Sequence, residues 1–177
     1  MIRALLLAGA LLAGPAAWGQ EQGYRQDDYR APVPDVLPGA TVVSTETAFA
    51  LWKTGQVAFI DVLPRAPKPA NLPEGTIWRD QPRHSIPGSI WLPNVGYGQL
   101  AEPMHVWFRT GLVQATGGDA DRPVLFFCLE DCWMSWNAAK RALEYGYTRV
   151  FWYPEGTDGW AFQDYPTERL EPAPGGL

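Results

Sequence analysis

The stretch Val124-Leu125-Phe126-Phe127-Cys128-Leu129-Glu130-Asp131-Cys132-Trp133-Met134-Ser135-Trp136 decides the fold. Its four apolar residues, preceded by Pro123 and followed by a cysteine and two acids, read as a strand buried on both faces, as in a parallel sheet covered on each side. Beyond the loop, Ser135 is placed to cap a helix in which Trp136, Ala139, Leu143 and Tyr147 recur near helical spacing. Lys140, Arg141 and Glu144 take its wet side. A strand, a cysteine loop and a helix in that order surround Cys128 with backbone N–H groups and the positive end of a helix dipole. The place is the strand-end crevice where open parallel sheets collect ligands.

On the N-terminal side, Thr41-Val42-Val43 is β-branched. Ser44 offers an N-cap to a helix that carries Ala48, Phe49, Leu51 and Trp52 and stops at Gly55. A strand is expected over Val57–Val62, with Asp61 near its end. A long proline-rich loop from Leu63 to about His84 leads into a turn and short strand over Ser85–Pro93, and a helix is expected from about Pro103 to Ala115. After the cysteine helix, Val150–Tyr153 reads as another strand, and Pro154–Trp160 as a turn into a last helical fragment. Alternating strands and helices predict an α/β fold with a mostly parallel sheet and helices on both faces.

The 177 residues are 46% hydrophobic and 19% charged, which fits one domain with one compact core. Fourteen Lys and Arg face nineteen Asp and Glu, a net charge of -5, with no basic stripe for a phosphate backbone, so nucleic acid is not an expected partner. Residues 1–19 read as a secretory signal peptide: Arg3, an apolar run from Ala4 to Leu12, a break at Gly14-Pro15, and small residues in Ala17-Trp18-Gly19. That run is too short to span a membrane, and no later stretch is longer. The expectation is a periplasmic or secreted protein without a membrane span, in a compartment where a cysteine pair persists as a disulfide. Residues 20–39, with Pro32, Pro34 and Pro38, read as an extended linker.

The chain has two cysteines, Cys128 and Cys132, and nine tryptophans. Two thiols are half of a tetrahedral metal set, and His84 and His105 lie far away in sequence, so no metal is expected. In regular helix, β-carbons four residues apart lie ~5–6 Å from each other, beyond the ~3.5–4.5 Å of a disulfide; in a curved loop they approach. Cys128 is the expected attacking thiol and Cys132 the resolving one, forming a reversible disulfide or discharging a persulfide. The other reading is a structural crosslink bracing a non-catalytic binding module for a protein or redox cofactor. Leu129, Glu130, Asp131, Trp133, Met134 and Ser135 make up the loop and pocket wall. Trp133 either walls a pocket, stacks on a planar ligand or docks a partner, or it simply packs. Glu130 and Asp131 are either solvated acids or a means of excluding anions and receiving a cationic partner. Asp61 either orients the cysteine loop or pairs with Arg65, and His84 is a loop-orienting hydrogen-bond group.

Asp61, then His84 through Ser89, then VLFFC ending at Cys128, then Ala138-Ala139 and Gly146-Tyr147, then Gly156 to Trp160 follow a known order. In it the chain resembles the rhodanese-like domain over about residues 40–165. The runs Cys128–Ala142 and Tyr153–Trp160 further resemble exported proteins of the PQQ-dependent catabolism-associated CXXCW motif family, with the spacing here CxxxCW. The resemblance implies a rhodanese-like domain over residues 40–168, a C-terminal tail over 169–177, and sulfurtransferase or thiol-disulfide oxidoreductase chemistry. It also implies a setting of alcohol oxidation through pyrroloquinoline quinone (PQQ). A periplasmic quinoprotein dehydrogenase or cytochrome system is the implied partner, and PQQ or another redox cofactor a candidate ligand. The loop departs from ordinary rhodaneses in carrying Glu130 and Asp131, and Trp133 where an Arg is common. Two carboxylates repel a dianionic donor and oppose thiolate formation, which sets plain thiosulfate sulfurtransfer third among the readings.

Overall fold

The structure, a computed structural model, describes residues 23–66, 68–79 and 81–175. The signal peptide expected over residues 1–19 lies outside the described residues. The elements in chain order are β1 (Thr41–Val42), α1 (Thr45–Thr54), β2 (Ala58–Asp61), β3 (Arg83–Ser85), β4 (Ile90–Trp91) and α2 (Glu102–Thr116). They continue with β5 (Val124–Phe127), α3 (Trp133–Glu144), β6 (Val150–Tyr153), α4 (Gly156–Phe162) and β7 (Glu168–Leu170).

Local signals set the helix ends. Ser44 caps α1 by accepting a hydrogen bond from the Thr47 amide, and Gly55 ends the helix in the left-handed region. Pro103 lies in the first turn of α2, and Gly117 closes it with φ 69°. Five strands then align in parallel in the order β1-β6-β5-β2-β4. The α/β fold with a mostly parallel sheet and helices on both faces, expected from the apolar run of β5, is the one observed.

β5 lies at the centre of the sheet, and its side chains divide between two cores as strand alternation requires. Val124 and Phe126 face a cluster with Phe108 and Leu112 of α2 and Trp136 and Ala139 of α3. Leu125 and Phe127 face Ala48 of α1 and Trp160 of α4. Because the five strands of the main sheet are parallel, each points its C-terminal end toward one edge of that sheet, where the cysteine loop lies. Among the described residues, no helix is long and apolar enough to cross a membrane.

Three features lie outside the sequence reading. β3 and β7 form an antiparallel ribbon apart from the main sheet, with Arg83 opposite Leu170 and Ser85 opposite Glu168. Residues 23–39 hold no helix or strand, yet they run across α3 as a strap, and Leu37 is buried in the core. Arg141, expected on the wet side of α3, is a correction: it is 2% exposed, whereas Glu144 is exposed. Its guanidinium donates to the carbonyls of Val95, Tyr97 and Gly98, so the loop before α2 closes over it and supplies the acceptors that a buried cation requires.

The same loop approaches α3 so closely that a Cβ on Gly96 would lie 2.2 Å from the Met134 carbonyl oxygen. Backbone on both sides leaves nothing free to yield. Gly96→Ala is expected to destabilise the protein by about 2 kcal/mol or more, read as a lowered midpoint in urea unfolding with an unchanged slope.

Candidate functional site

β5 delivers Cys128 to the sheet edge, and three donors fix its carbonyl. The Thr157 amide lies at 3.0 Å, the Thr157 hydroxyl at 3.2 Å and Nη2 of Arg83 at 3.4 Å. Gly156, at φ 54°, lets α4 start directly against this carbonyl, because a Cβ there would come within 2.6 Å of the oxygen. From Cys128 the chain turns through Asp131, itself at φ 50°, and returns to Cys132. The two cysteines are joined in a disulfide with a Cα–Cα distance of 6.2 Å. Both are buried, Cys128 at 0% and Cys132 at 2% exposure.

Cys132 is the N-cap of α3, with Trp133 the first helical residue. The helix thus begins ahead of Ser135, which corrects the expected cap. Ser135 lies inside the first turn, where its hydroxyl donates to the Cys132 carbonyl at 2.9 Å and accepts from the Trp152 indole at 3.0 Å. The main chain supplies what a capping side chain would: the Trp133 amide donates to the Tyr29 carbonyl of the strap at 2.9 Å.

The remaining loop residues divide by exposure. Met134 is fully buried, and Leu129 packs partly buried against the larger core. Glu130 and Asp131 are exposed, with the Glu130 amide donating to Asp158 at 3.1 Å. Together with Asp35 and Glu155 they line an open groove of about 280 Å³ whose other walls include Val33, Val42 and Pro154. Its field is negative and disfavours a dianion. Trp133 is 7% exposed: its ring meets Trp136 edge-on, the Arg25 guanidinium covers it at 5.3 Å, and its indole N–H donates to the Pro32 carbonyl. The structure therefore packs this ring against the chain's own strap.

Beneath the loop lies a buried polar network. Asp61, with no exposure, accepts from Nε of Arg83 at 2.6 Å, the Ser85 hydroxyl at 2.5 Å and the Leu63 amide at 2.9 Å. The Arg83 guanidinium continues to the Thr157 hydroxyl at 3.3 Å, so the charge pair links the end of β2 through β3 to the start of α4 and the Cys128 carbonyl.

Two expectations need correction here. The ion-pair partner of Asp61 is Arg83, not Arg65; Arg65 is exposed, and its amide donates to the Asn94 side chain. His84 is exposed and points away, because alternation along β3 sends Arg83 and Ser85 inward. Arg83 thus holds the loop-orienting position expected of His84. Arg83 and Thr157 were not candidates in the sequence, although each lies in or beside a motif segment. Among the described residues, no group of three or more His, Cys, Asp and Glu side chains is arranged to hold a metal ion.

No family model matches the sequence. No curated protein matches it either. Among solved structures, the chain is similar to the polysulfide-sulfur transferase homodimer from Wolinella succinogenes: TM-score 0.45 and 15% identity, over 75% of this chain and 80% of that one. It is also similar to an uncharacterized protein from Saccharomyces cerevisiae: TM-score 0.43 and 20% identity, over 70% of this chain and 92% of that one.

Removing one member of a buried ion pair strands the other without a counter-charge. Asp61→Asn is expected to lower the unfolding free energy by about 3–5 kcal/mol, and Arg83→Met to cost a similar amount. In the double variant the losses should fall well short of adding. Additive losses in urea unfolding would show that the two charges are not coupled.

Proposed function

We propose that this chain is an exported rhodanese-like protein whose Cys128–Cys132 pair carries out thiol-disulfide or persulfide chemistry for PQQ-dependent alcohol oxidation. The observation that carries the reading is convergence. Asp61, the segment around His84 to Ser89, Cys128 and the Gly156–Trp160 turn are scattered over a hundred residues of sequence. All four meet at one sheet edge, on a cysteine already paired with a second one in its loop.

The position of the pair supports a division of roles. Cys132 lies at the N-terminus of α3, where the helix dipole favours a thiolate, so it is the better leaving group. A partner thiolate attacks the sulfur of Cys128, and the electron pair of the broken S–S bond leaves on Cys132. A second partner thiol then displaces Cys128, so two electrons and two protons pass to the cysteines and the partner dithiol becomes a disulfide. In the sulfur branch, the Cys128 thiolate of the reduced pair takes the outer sulfur of a sulfane donor RS–S⁻, breaking its S–S bond so that RS⁻ leaves as a thiolate. The resulting persulfide is attacked at the Cys128 sulfur by the Cys132 thiolate. Hydrosulfide leaves, and the disulfide re-forms.

The residues of the loop do not fit PQQ itself. The quinone is a planar polycarboxylate, the groove beside the disulfide is lined by Asp35, Glu130, Asp131 and Glu155, and Trp133 is already packed. PQQ enters this reading as the cofactor of a partner dehydrogenase or cytochrome system. The acidic groove argues equally against thiosulfate as a donor, and the protein is expected to form no thiocyanate from thiosulfate and cyanide.

Burial of both sulfurs favours a second reading, a binding module braced by a structural disulfide. The two readings separate by potential. A working pair titrates between roughly −180 and −300 mV, whereas a structural crosslink lies below about −300 mV. The Cys132→Ser variant, expressed in its native compartment, is expected to hold a mixed disulfide on Cys128 that reductant releases. An empty trap together with a potential below that range would favour the module.

A further inference from the structure

A helix face that carries an indole, a carboxamide and a guanidinium is ordinarily wet, yet Trp133, Asn137 and Arg141 of α3 are all buried. Their spacing of four places them in one stripe along the helix. Buried polar groups need partners, and here the strap supplies many of them. The Asn137 carboxamide closes a two-way clasp on residue 25, accepting from its amide at 3.0 Å and donating to its carbonyl at 2.9 Å. Arg141 stacks at 4.3 Å on the ring of Tyr24. Trp133 holds the strap through its amide and its indole, and residue 30 bridges directly to Cys132.

The strap is held differently from the rest of the fold. Between residues 23 and 36 none of its residues is fully buried, and its buried anchor is Leu37, at the end of the run. Tyr29, Ala31 and Val33 pack partly buried against the larger core, and a segment held by hydrogen bonds and such partial burial opens at lower cost than the core it covers. The disulfide, which the strap meets at Cys132, is buried as it stands.

We infer that residues 24–36 form a releasable lid over the Cys128–Cys132 disulfide, latched by Asn137, and that a dithiol reaches the S–S bond only when this lid lifts. The lid regulates the pair and so rests on the redox reading, but the two are separable. The lid is tested with dithiothreitol alone, whereas the redox reading stands on the partner trap and the potential. In the test reaction the protein S–S bond breaks, dithiothreitol closes to its cyclic disulfide, and two electrons and two protons pass to the cysteines.

The measurement is the rate of reduction of the folded chain, followed by quenching with an alkylating agent and weighing the product. If reduction proceeds through opening, its rate scales with the opening equilibrium. Asn137→Ala, which loses both bonds of the clasp along with a bond to the Gly96 carbonyl outside the strap, is expected to speed it about tenfold; Arg25→Ala, which uncovers the Trp133 ring, about threefold. Phe49→Ala, in the cluster on the opposite face of the sheet, should leave the rate unchanged. Equal rates in all variants would overturn the lid, as would an acceleration by Phe49→Ala matching that of Asn137→Ala, since reduction would then follow global unfolding. Hydrogen exchange on the unaltered chain guards against a clasp variant that fails to fold. The Trp133 amide, bonded to the strap, should exchange well before the central β5 amides, and exchange of both together would count against the proposal.

Discussion

A carboxylate sealed from water at the end of a strand has to find a cation, and much of the site follows from how Asp61 does so. Its partner Arg83 comes from β3, a strand outside the main sheet that is held in place by β7. The ribbon therefore presents one guanidinium to the sheet edge. With its remaining N–H groups that guanidinium reaches the Thr157 hydroxyl and the Cys128 carbonyl, so the cysteine's backbone is tied to a charge pair as well as to its own strand. Ion pairs of this kind contribute little net stability over an apolar filling, but they are intolerant of rearrangement. Intolerance is useful beneath a loop closed by a disulfide, whose geometry it holds to one arrangement.

The α3 helix shows the same economy in a different form. One side is apolar and packs on β5 and β6; another is polar but covered, by the strap and by the loop over Arg141. Its N-terminus carries Cys132, so an element that supports the core also brings a dipole to the sulfur pair and a docking face to the strap.

How much of this could be read in the sequence depends on whether the determining contact was local. The ends of α1 and α2 were legible because Ser44, Gly55, Pro103 and Gly117 act within one turn. β5 was legible because burial on both faces demands an unbroken apolar run. β3 and β7 were not: each is three residues long and largely polar, and their register is fixed across more than eighty residues. Asp61 could be recognised as a strand-end acid, but proximity suggested Arg65, four residues on, where tertiary structure supplied Arg83. The start of α3 was misplaced for a similar reason, since the acceptor for the Trp133 amide is a strap carbonyl about a hundred residues away. Arg141 broke the polar-outside rule because periodicity describes a helix in water, not one that another part of the chain will cover.

The distance in sequence between the strap and α3 has a consequence for the order of assembly. Residues 24–36 are the first described part of the chain to be synthesised, but their partners on α3 lie 100 to 120 positions later. Closing so long a loop is costly until the sheet has formed. The cysteines lie only four positions apart, so bringing them together needs no such closure. On that argument the pair is within reach of an oxidant before the strap docks, so a bond buried in the finished protein can be made while its surroundings are still incomplete.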